Sequence, residues 1–315
     1  MKRSREQTVF MITFLAPAFL LFTVFVAMPG IRAFAYSFEK WDGLSAPKWV
    51  GLDNFAALLR DRDVFAAALW HNIVLTVGAG LLIVVLSLLF ASALHRRVRG
   101  AALFRVTFFF PNVISSVAIA LLWVLLYSTT DFGVINSLLG WLKYEDFGRL
   151  NGAMDVARGW TGLANLELPF PFTGKPYLIY SLIPIIVWAS TGFYMVLFLA
   201  AMEGIPESYY EAATLDGASE ISQFWHITLP LIREVLTVGL VFLVIGCLKI
   251  FDMVWIMDNE WPTKETHVLA TLMYQKVFSE YNIGYGAAVA VLMFIVVFMA
   301  SMFTLRLSRK EALEY

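Results

Sequence analysis

Charged and hydroxyl side chains inside long apolar stretches are the residues of this 315-residue chain best suited to chemistry. A polar group in such a stretch is costly to bury, so it indicates a functional site. Lys249 and Asp252 are three positions apart, a spacing that places a cation and a carboxylate on one face of a helix. Ser190, Thr191 and Tyr194 form a second polar cluster, which would line a path for a polar ligand.

Each of these clusters also has a structural explanation, which the sequence leaves open. Lys249 would extend from the outer part of a span to the membrane surface, or it would pair with Asp252. The hydroxyl groups would bond back to carbonyls of their own helix or join neighbouring helices. Further polar candidates in apolar stretches are Asn72, Asn112, Ser115 and Ser116.

The sequence lacks the motifs of nucleotide and hydrolytic chemistry. A phosphate-binding loop needs G-x-x-x-x-G-K-[ST], and the only Gly-Lys pair, Gly174-Lys175, is followed by Pro176. Neither G-x-S-x-G nor H-E-x-x-H occurs. The scattered histidines are His71, His95, His226 and His267. We therefore predict a non-enzymatic chain that binds no metal and no cofactor of its own.

Membrane-spanning helices must position these residues. The chain is 60% hydrophobic and 15% charged, with a mean hydropathy of +0.73, whereas soluble domains are about half apolar and about a quarter charged. A spanning helix needs roughly 20 apolar residues. The fifth span is reached only by continuing past Lys249 and Asp252, and Pro111 is expected to kink the third. The six predicted spans are 7–31, 70–94, 106–130, 176–202, 235–257 and 281–305.

The placement of Lys and Arg predicts that both termini are cytoplasmic. With that orientation the inner segments hold 11 Lys and Arg in 59 residues, and the outer segments hold 12 in 109. The density of positive charge is thus nearly twice as high on the inner side.

The long inner segment 203–233 is too polar for lipid and too patterned for a linker. It predicts a helix over Glu207–Leu215, a break at Asp216-Gly217, where glycine permits the turn, and a second helix from Glu220 to about Thr228. Ser219 is expected to cap that second helix. The product is a helix–turn–helix hairpin on the cytoplasmic surface.

The outer segments carry weaker signals. Asp53 or Asn54 is expected to cap a short amphipathic helix over Phe55–Leu59. The longest outer loop, 131–175, contains scattered aromatic residues. They suit anchoring at the membrane interface or a docking surface for an outside partner.

The hairpin residues follow a recognisable pattern. Glu211-Ala212-Ala213, three residues, Gly217, nine residues and Ile227-Thr228-Leu229-Pro230 resemble the EAA loop of permease subunits in bacterial binding-protein-dependent ABC importers. The similarity extends over nearly the whole chain and is closest to the first permease of the carbohydrate branch, the maltose and glycerol-phosphate type. Other stretches that carry it are Gly204–Pro206, Val50–Phe55, Phe132–Asn136 and Phe251-Asp252.

The resemblance implies an all-α type I ABC importer permease fold, in which residues 1–315 form one transmembrane domain and half of a sugar pathway in the inner membrane. The implied partners are a second permease, two ATP-binding cassette subunits that carry ATP and Mg, an external solute-binding protein and lipid, with no nucleic acid. It further implies that Glu211 meets a cationic group of the ATPase, that Ala212 and Ala213 allow close approach, and that Gly217 allows the turn. The implied coupling residues are Glu211, Ala212, Ala213, Asp216, Gly217 and Ala218.

Two outer stretches depart from the family pattern. Residues 258–262 replace a glycine-rich run, and the second outer loop is longer around 143–158. The main alternative function is a self-sufficient secondary transporter. Such transporters commonly contain internal repeats, and the two halves of this chain show no convincing repeat.

Overall fold

α-Helices make up nearly all of the regular structure. The computed structural model describes residues 5–95, 100–130, 132–144, 161, 165–258 and 262–308. In these ranges one short antiparallel pair of strands occurs, β1 (Glu39–Lys40) with β2 (Lys48–Trp49). The helices are α1 (Arg5–Phe22), α2 (Met28–Tyr36), α3 (Asp53–Arg60), α4 (Arg62–His95), α5 (Ala101–Val113), α6 (Ser116–Leu126), α7 (Val134–Tyr144), α8 (Leu178–Glu203), α9 (Glu207–Leu215), α10 (Glu220–Gln223), α11 (Leu229–Leu231), α12 (Arg233–Leu248), α13 (Asp252–Met257), α14 (Leu269–Tyr274) and α15 (Ile283–Ser308).

The helical stretches have the length and composition of membrane spans. Within the described ranges, five are long and apolar enough to cross a membrane, and a sixth is reached if the bent pair α5 and α6 counts as one span. The predicted all-helical membrane fold is therefore confirmed. The five stretches are Phe10–Tyr36, Arg62–His95, Leu178–Glu203, Arg233–Met257 and Ile283–Arg306.

The predicted third span is two helices instead of one rod. α5 and α6 meet at 97°, because the chain is extended at Ile114 and Ser115, with ψ of 140° and 136°. Pro111 lies inside α5, three residues before the break. The predicted kink position is therefore wrong. The helix continues through the proline and ends where Ser115, a residue type favoured just before a helix, precedes α6.

The predicted fifth span is broken near its end. Leu248 ends α12, and Asp252 begins α13 after Phe251, whose φ and ψ are −136° and −62°. The prediction that Lys249 and Asp252 share one face of a continuous helix is therefore wrong, since the spacing argument holds only while the helix continues. Lys249 instead closes α12, with its backbone N–H donating to the Ile245 carbonyl at 3.1 Å.

A continuous apolar core holds α4, α8 and α12 together. The protein divides into two compact units, Met1–Phe65 with Leu272–Ile295 and Ala66–Thr271 with Val296–Tyr315. The core of the second unit includes Leu75, Ile83, Met195, Phe198 and Leu243, all nearly inaccessible to solvent. α5 packs along α8, and α6 packs against α13, so both halves of the bent pair belong to this core.

In the first unit a short helix and a hairpin of strands are joined by buried polar contacts. The predicted amphipathic helix is present as α3. Asn54 does not cap it; its side-chain amide instead donates to the Ser37 and Glu39 carbonyls, at 2.9 Å each. Gly284 of α15 packs so closely on β1 that an added Cβ would lie 2.0 Å from the Glu39 carbonyl oxygen. These contacts fix α3, β1 and α15 as one body.

The turn between β1 and β2 is closed by Asp42. Its carboxylate accepts hydrogen bonds from the backbone N–H groups of Ser45 and Leu44 and from the Ser45 hydroxyl, at 2.8 to 3.0 Å. These bonds stabilise the ionised form and lower the pKa of Asp42 to about 2. The Asp42 carboxylate is therefore ionised at neutral pH, the form that accepts these bonds.

Candidate functional site

A cavity of about 430 Å³ opens in the second unit where α6, α8, α12 and α13 meet. Its polar lining consists of side chains from each of these elements and from the break between α12 and α13, and aliphatic groups fill the rest. The polar lining residues are Ser116, Ser190, Tyr194, Cys247, Lys249 and Asp252. The aliphatic and aromatic ones are Ile83, Ile186, Leu243, Ile250, Phe251 and Met253.

Lys249 and Asp252 line this cavity although they do not share a helix. Both side chains are exposed, and within the described part of the chain no ion pair joins them, so the cation and the carboxylate face the cavity separately. The Asp252 carboxylate accepts a hydrogen bond from the Ser116 hydroxyl at 2.6 Å. The arrangement offers both a donor cation and an acceptor carboxylate to a bound molecule.

The three polar residues predicted on α8, Ser190, Thr191 and Tyr194, do not all face the cavity. Ser190 and Tyr194, four residues apart, both line the cavity. Thr191 does not: it is 3% exposed, and its hydroxyl donates to the Val187 carbonyl at 2.6 Å. The structure therefore brings four of the five predicted pathway residues to one cavity and places Thr191 in the packed interior.

The two helix breaks lie next to one another. Ser116 is the first residue of α6, and Asp252 is the first residue of α13, so their hydrogen bond joins the helical halves that follow the two breaks. Irregular backbone in a membrane protein is tolerated where it is buried in protein or lines a cavity. In transporters, discontinuous helices of this kind commonly form the substrate site.

The predicted helix–turn–helix hairpin is present, and its first helix has the predicted bounds. α9 ends in a Schellman motif, in which the Ala218 N–H donates to the Ala213 carbonyl at 2.9 Å and the Gly217 N–H to the Thr214 carbonyl at 3.0 Å. The motif needs a left-handed residue, and Gly217 supplies it with φ of +78°. The Ser219 side chain caps α10 by accepting from the Ser222 N–H at 3.3 Å.

Side-chain bonds tie the two arms of the hairpin together. The Tyr210 and Thr228 hydroxyls are 2.9 Å apart, and the Gln223 amide donates to the Thr214 hydroxyl at 3.0 Å and to the Ala218 carbonyl at 3.2 Å. These hydrogen bonds hold the two arms of the hairpin against each other. A π-helical turn over Phe224–Thr228 then connects α10 with α11.

The exposed surface of the hairpin is acidic. Glu211, Ala212 and Asp216 are exposed, while Ala213 and Ala218 are half-buried. No described residue makes an ion pair with Glu211. Residues 203–232 contain five carboxylates and no Lys or Arg: Glu203, Glu207, Glu211, Asp216 and Glu220. Such a surface suits a basic partner.

Two contacts near the site were not predicted from the sequence, although Asn72 itself was a polar candidate. Arg105 of α5 forms an ion pair with Glu203 at the end of α8, at 2.7 Å, beside a second cavity of about 720 Å³ under the hairpin. Asn72 of α4 is fully buried behind the break at Lys249 and bonds to Cys247 and Leu248. Long sequence separation hides both contacts, although the apolar surroundings of Asn72 already marked it as unusual.

Parts of the two outer stretches that depart from the family pattern lie outside the described residues. Of 258–262 only Asp258 and Pro262 are described, and of 143–158 only Lys143 and Tyr144. Asp258 is buried and accepts from the Thr266 hydroxyl at 2.5 Å. In the described part of the chain no cluster of His, Cys, Asp and Glu is arranged to hold a metal ion.

The part of the chain that contains the two helix breaks and the hairpin between α8 and α12 lies within a match to a known family model. Residues 83–311 match the model described as binding-protein-dependent transport system inner membrane component. The chain belongs to this family. The family consists of permease subunits that are not catalytic, so this multi-pass inner membrane chain is not an enzyme, as predicted.

Individual relatives align over almost the whole chain. The probable ABC transporter permease protein YurN of Bacillus subtilis is 31% identical over 93% of this chain and 94% of its own. The diacetylchitobiose uptake system permease protein NgcF of Streptomyces coelicolor is 30% identical over 93% and 80%. The multiple sugar-binding transport system permease protein MsmF of Streptococcus mutans is 27% identical over 95% and 94%.

Solved structures share the fold. A bacterial ABC transporter involved in the import of the acidic polysaccharide alginate superposes with a TM-score of 0.77, at 21% identity over 96% of each chain. A bacterial alginate ABC transporter in complex with an alginate pentasaccharide-bound periplasmic protein gives 0.76, at 20% identity over 96% and 95%. The ABC importer permease fold predicted from the sequence is thus confirmed.

Proposed function

We propose that this chain forms half of the translocation pathway of an ATP-driven importer for a sugar or oligosaccharide. An external solute-binding protein delivers the substrate, a second permease completes the pathway, and two ATP-binding cassette subunits with ATP and Mg supply the energy through the hairpin. The observation that carries this proposal is the hairpin itself: a side-chain-bonded, acidic projection that carries the EAA pattern at a Schellman turn.

The geometry of the hairpin supports its role as the contact for the ATPase. The Gly217 turn and the hydrogen bonds between the two arms connect α9 to the rest of the hairpin. A movement of the ATPase would therefore displace both arms of the hairpin together. Glu211 is exposed and would pair with a cation of the ATPase. Ala212 and Ala213 carry no bulk beyond a methyl group, which allows close approach. Asp216 and Ala218 would complete the contact.

The cavity at the two helix breaks supports a polar, uncharged or weakly charged substrate. Hydroxyl groups of Ser190 and Tyr194, the Lys249 ammonium and the Asp252 carboxylate offer the donors and acceptors that sugar hydroxyls require. Relatives named for diacetylchitobiose and for multiple sugars support the same class. We infer that these four residues contact the sugar on its way through the membrane.

Co-purification tests the proposed assembly. The tagged chain is purified in mild detergent from its own host, and mass spectrometry identifies the accompanying proteins. We expect an ATPase with a phosphate-binding loop, a second six-span permease and a secreted binding protein, whose bound sugar can then be identified. Recovery of a stable, monodisperse chain alone would contradict the proposal and favour a secondary transporter.

A charge substitution tests the role of Glu211 in coupling. Glu211→Gln removes one exposed negative charge without changing the size of the side chain, so folding should be preserved. We expect at least about tenfold weaker retention of the ATPase, on the scale of about 1.4 kcal/mol for a charged contact. The matched control is Glu265→Gln, which changes another exposed carboxylate on the predicted outer side. Equal retention in both variants would remove Glu211 from the contact.

A further inference from the structure

The buried side chain of Asn72 makes three hydrogen bonds next to the proposed pathway. Its side chain is inaccessible to solvent. The amide nitrogen donates to the Cys247 and Leu248 carbonyls, at 3.2 Å each. The amide oxygen accepts from the Leu269 N–H at 2.9 Å. One α4 side chain therefore bonds to the last two residues of α12 and to the first residue of α14.

The break in the fifth span creates the need for these bonds. The last carbonyls of a helix have no partner within it, and in lipid such groups cannot turn to water. At the end of α12 the Ile250 N–H reaches the Cys247 carbonyl only at 3.4 Å. The two donors of the Asn72 amide satisfy the carbonyls that the break leaves, so α12 can end inside the protein.

One of the residues that Asn72 bonds, Cys247, lies in the cavity wall, and the residues that follow Leu248 continue that wall. Cys247, Lys249 and Ile250 line it, and Asn72 bonds to the backbone of Cys247 and Leu248 immediately before Lys249. The position at which Lys249 leaves α12 therefore depends on a bond from α4, a helix that contributes only Ile83 to the cavity lining.

His71, the residue before Asn72, makes a second contact between α4 and the segment that leads into α14. The ring Nδ1 of His71 lies 2.7 Å from the carbonyl oxygen of His267. The Val268 N–H donates to the Thr271 hydroxyl at 3.0 Å. The segment leading into α14 is thus fixed to α4 at two consecutive residues, which leaves the Asn72 amide oxygen aimed at the Leu269 N–H.

We propose that Asn72 is a positioning residue of the translocation pathway: it holds the broken end of α12 so that Lys249 is presented to the substrate cavity. This inference rests on the proposed function, because it assigns substrate contact to that cavity. Asn72 itself does not line the cavity, so it acts through the α12 backbone.

The chain contains a matched control for this role. Asn136 is also buried, and its amide donates to the Ser128 and Phe170 carbonyls at 2.9 and 3.1 Å while its oxygen accepts from the Phe170 N–H at 2.8 Å. Asn72 and Asn136 thus make the same kinds of bonds. None of the Asn136 partners lines the cavity. Asn72→Asp and Asn136→Asp each keep an acceptor oxygen and replace the donating NH2 group by a carboxyl oxygen, which carries at most one donor proton.

The single cysteine of the sequence, Cys247, is a natural probe of the contact between Asn72 and the end of α12. Cys247 lines the cavity, is 6% exposed and supplies one of the carbonyls that Asn72 holds. In the intact complex, modification of Cys247 by a small methanethiosulfonate reagent is followed by mass spectrometry of its peptide. We expect Asn72→Asp to raise the rate at least about tenfold, because at least one buried carbonyl loses its hydrogen bond and this loss favours opening by that order, and Asn136→Asp to leave it within about twofold.

Transport kinetics give the second measurement. In proteoliposomes with the sugar identified on the binding protein, Asn72→Asp should raise the apparent KM about fivefold or more while ATPase association stays unchanged, because the variant misplaces a substrate contact and leaves the hairpin intact. Asn136→Asp should leave KM near the unmodified value. If Asn72→Asp fails to assemble, Asn72→Ser, which keeps one donor, is measured in its place.

The two measurements separate the two proposals. Faster Cys247 modification in the Asn72 variant with an unchanged KM would overturn the substrate role of the cavity and, with it, the positioning role. Equal Cys247 modification in the Asn72 and Asn136 variants would overturn the positioning role alone. The co-purification test of the importer is unaffected by either result.

Discussion

Gly217 has a backbone conformation that disfavours any side chain larger than hydrogen. Its φ of +78° belongs to the left-handed region, although an added Cβ would meet nothing within 4 Å. Gly217→Val is therefore opposed by backbone strain and not by crowding, at about 1–2 kcal/mol or more for a β-branched residue. We expect the Schellman turn to open and ATPase co-purification to fall at least about fivefold.

The asparagine variant provides the control at the same position. Asn tolerates the left-handed conformation better than other residues, so Gly217→Asn should retain most of the bound ATPase. Thermal unfolding in detergent should be nearly unchanged in both variants, because the turn lies outside the apolar core. Equal loss of the ATPase in the Asn and Val variants would show that bulk at the contact matters, and the turn geometry does not.

The sequence predicted which types of polar residue line the cavity, but it did not predict which way each side chain points from its helix. Ser190, Tyr194, Lys249 and Asp252 all reach the cavity, while Thr191 points into packed protein. α8 is apolar on nearly all sides and largely buried, and such a helix has no polar face from which its orientation can be read. Only tertiary packing decides which hydroxyl group lines the cavity.

At the scale of elements, the bond between Ser116 and Asp252 links the helical halves that follow the two breaks. A hydrogen bond from a hydroxyl to a carboxylate at 2.6 Å contributes on the order of 1 kcal/mol where solvent reaches it. We expect Ser116→Ala and Asp252→Asn each to lower stability and slow transport. The double variant should lose less than the sum. Because the Asn amide oxygen still accepts from the hydroxyl, the double-mutant cycle measures the charge-assisted part of the bond, with a coupling of about 0.5 kcal/mol.

A second serine supplies the control for this cycle. Ser115 precedes α6 and makes no side-chain cap bond, so Ser115→Ala tests the loss of a hydroxyl group at the same break. Its effect should add to that of Asp252→Asn without coupling. Additive behaviour of Ser116→Ala with Asp252→Asn would mean that the two helical halves are held together by apolar packing alone.

The sequence predicted the hairpin closely but missed the helix breaks. The arms of the hairpin follow local rules of capping and glycine turns, which nearby residues such as Ser219 and Gly217 dictate. The breaks at Ile114 and Lys249 depend on partners far along the chain, such as Asn72 for the end of α12. Counting apolar residues measures the length of a span, and it carries no information about a bend within it.

At the scale of the whole molecule, the helical membrane fold and the family were predicted from apolar stretches and one local motif, and neither signal requires knowledge of tertiary contacts. Orientation in the membrane remains a prediction from Lys and Arg placement. It puts the β1–β2 turn outside and the hairpin inside. Ala46 in the turn and Ser208 in α9 are both exposed, so a cysteine at either position is reachable by a reagent on its own side.

We expect Ala46→Cys to react with a membrane-impermeant maleimide in intact cells, once the outer envelope admits the reagent. Ser208→Cys should react only after the inner membrane is permeabilised, because the bilayer separates it from the reagent. The unmodified chain is the blank, since its single cysteine, Cys247, is 6% exposed. Labelling of Ser208→Cys in intact cells together with protection of Ala46→Cys would invert the orientation. An inverted hairpin could not contact ATPase subunits on the cytoplasmic side, so this labelling pattern tests the coupling proposal as well as the topology.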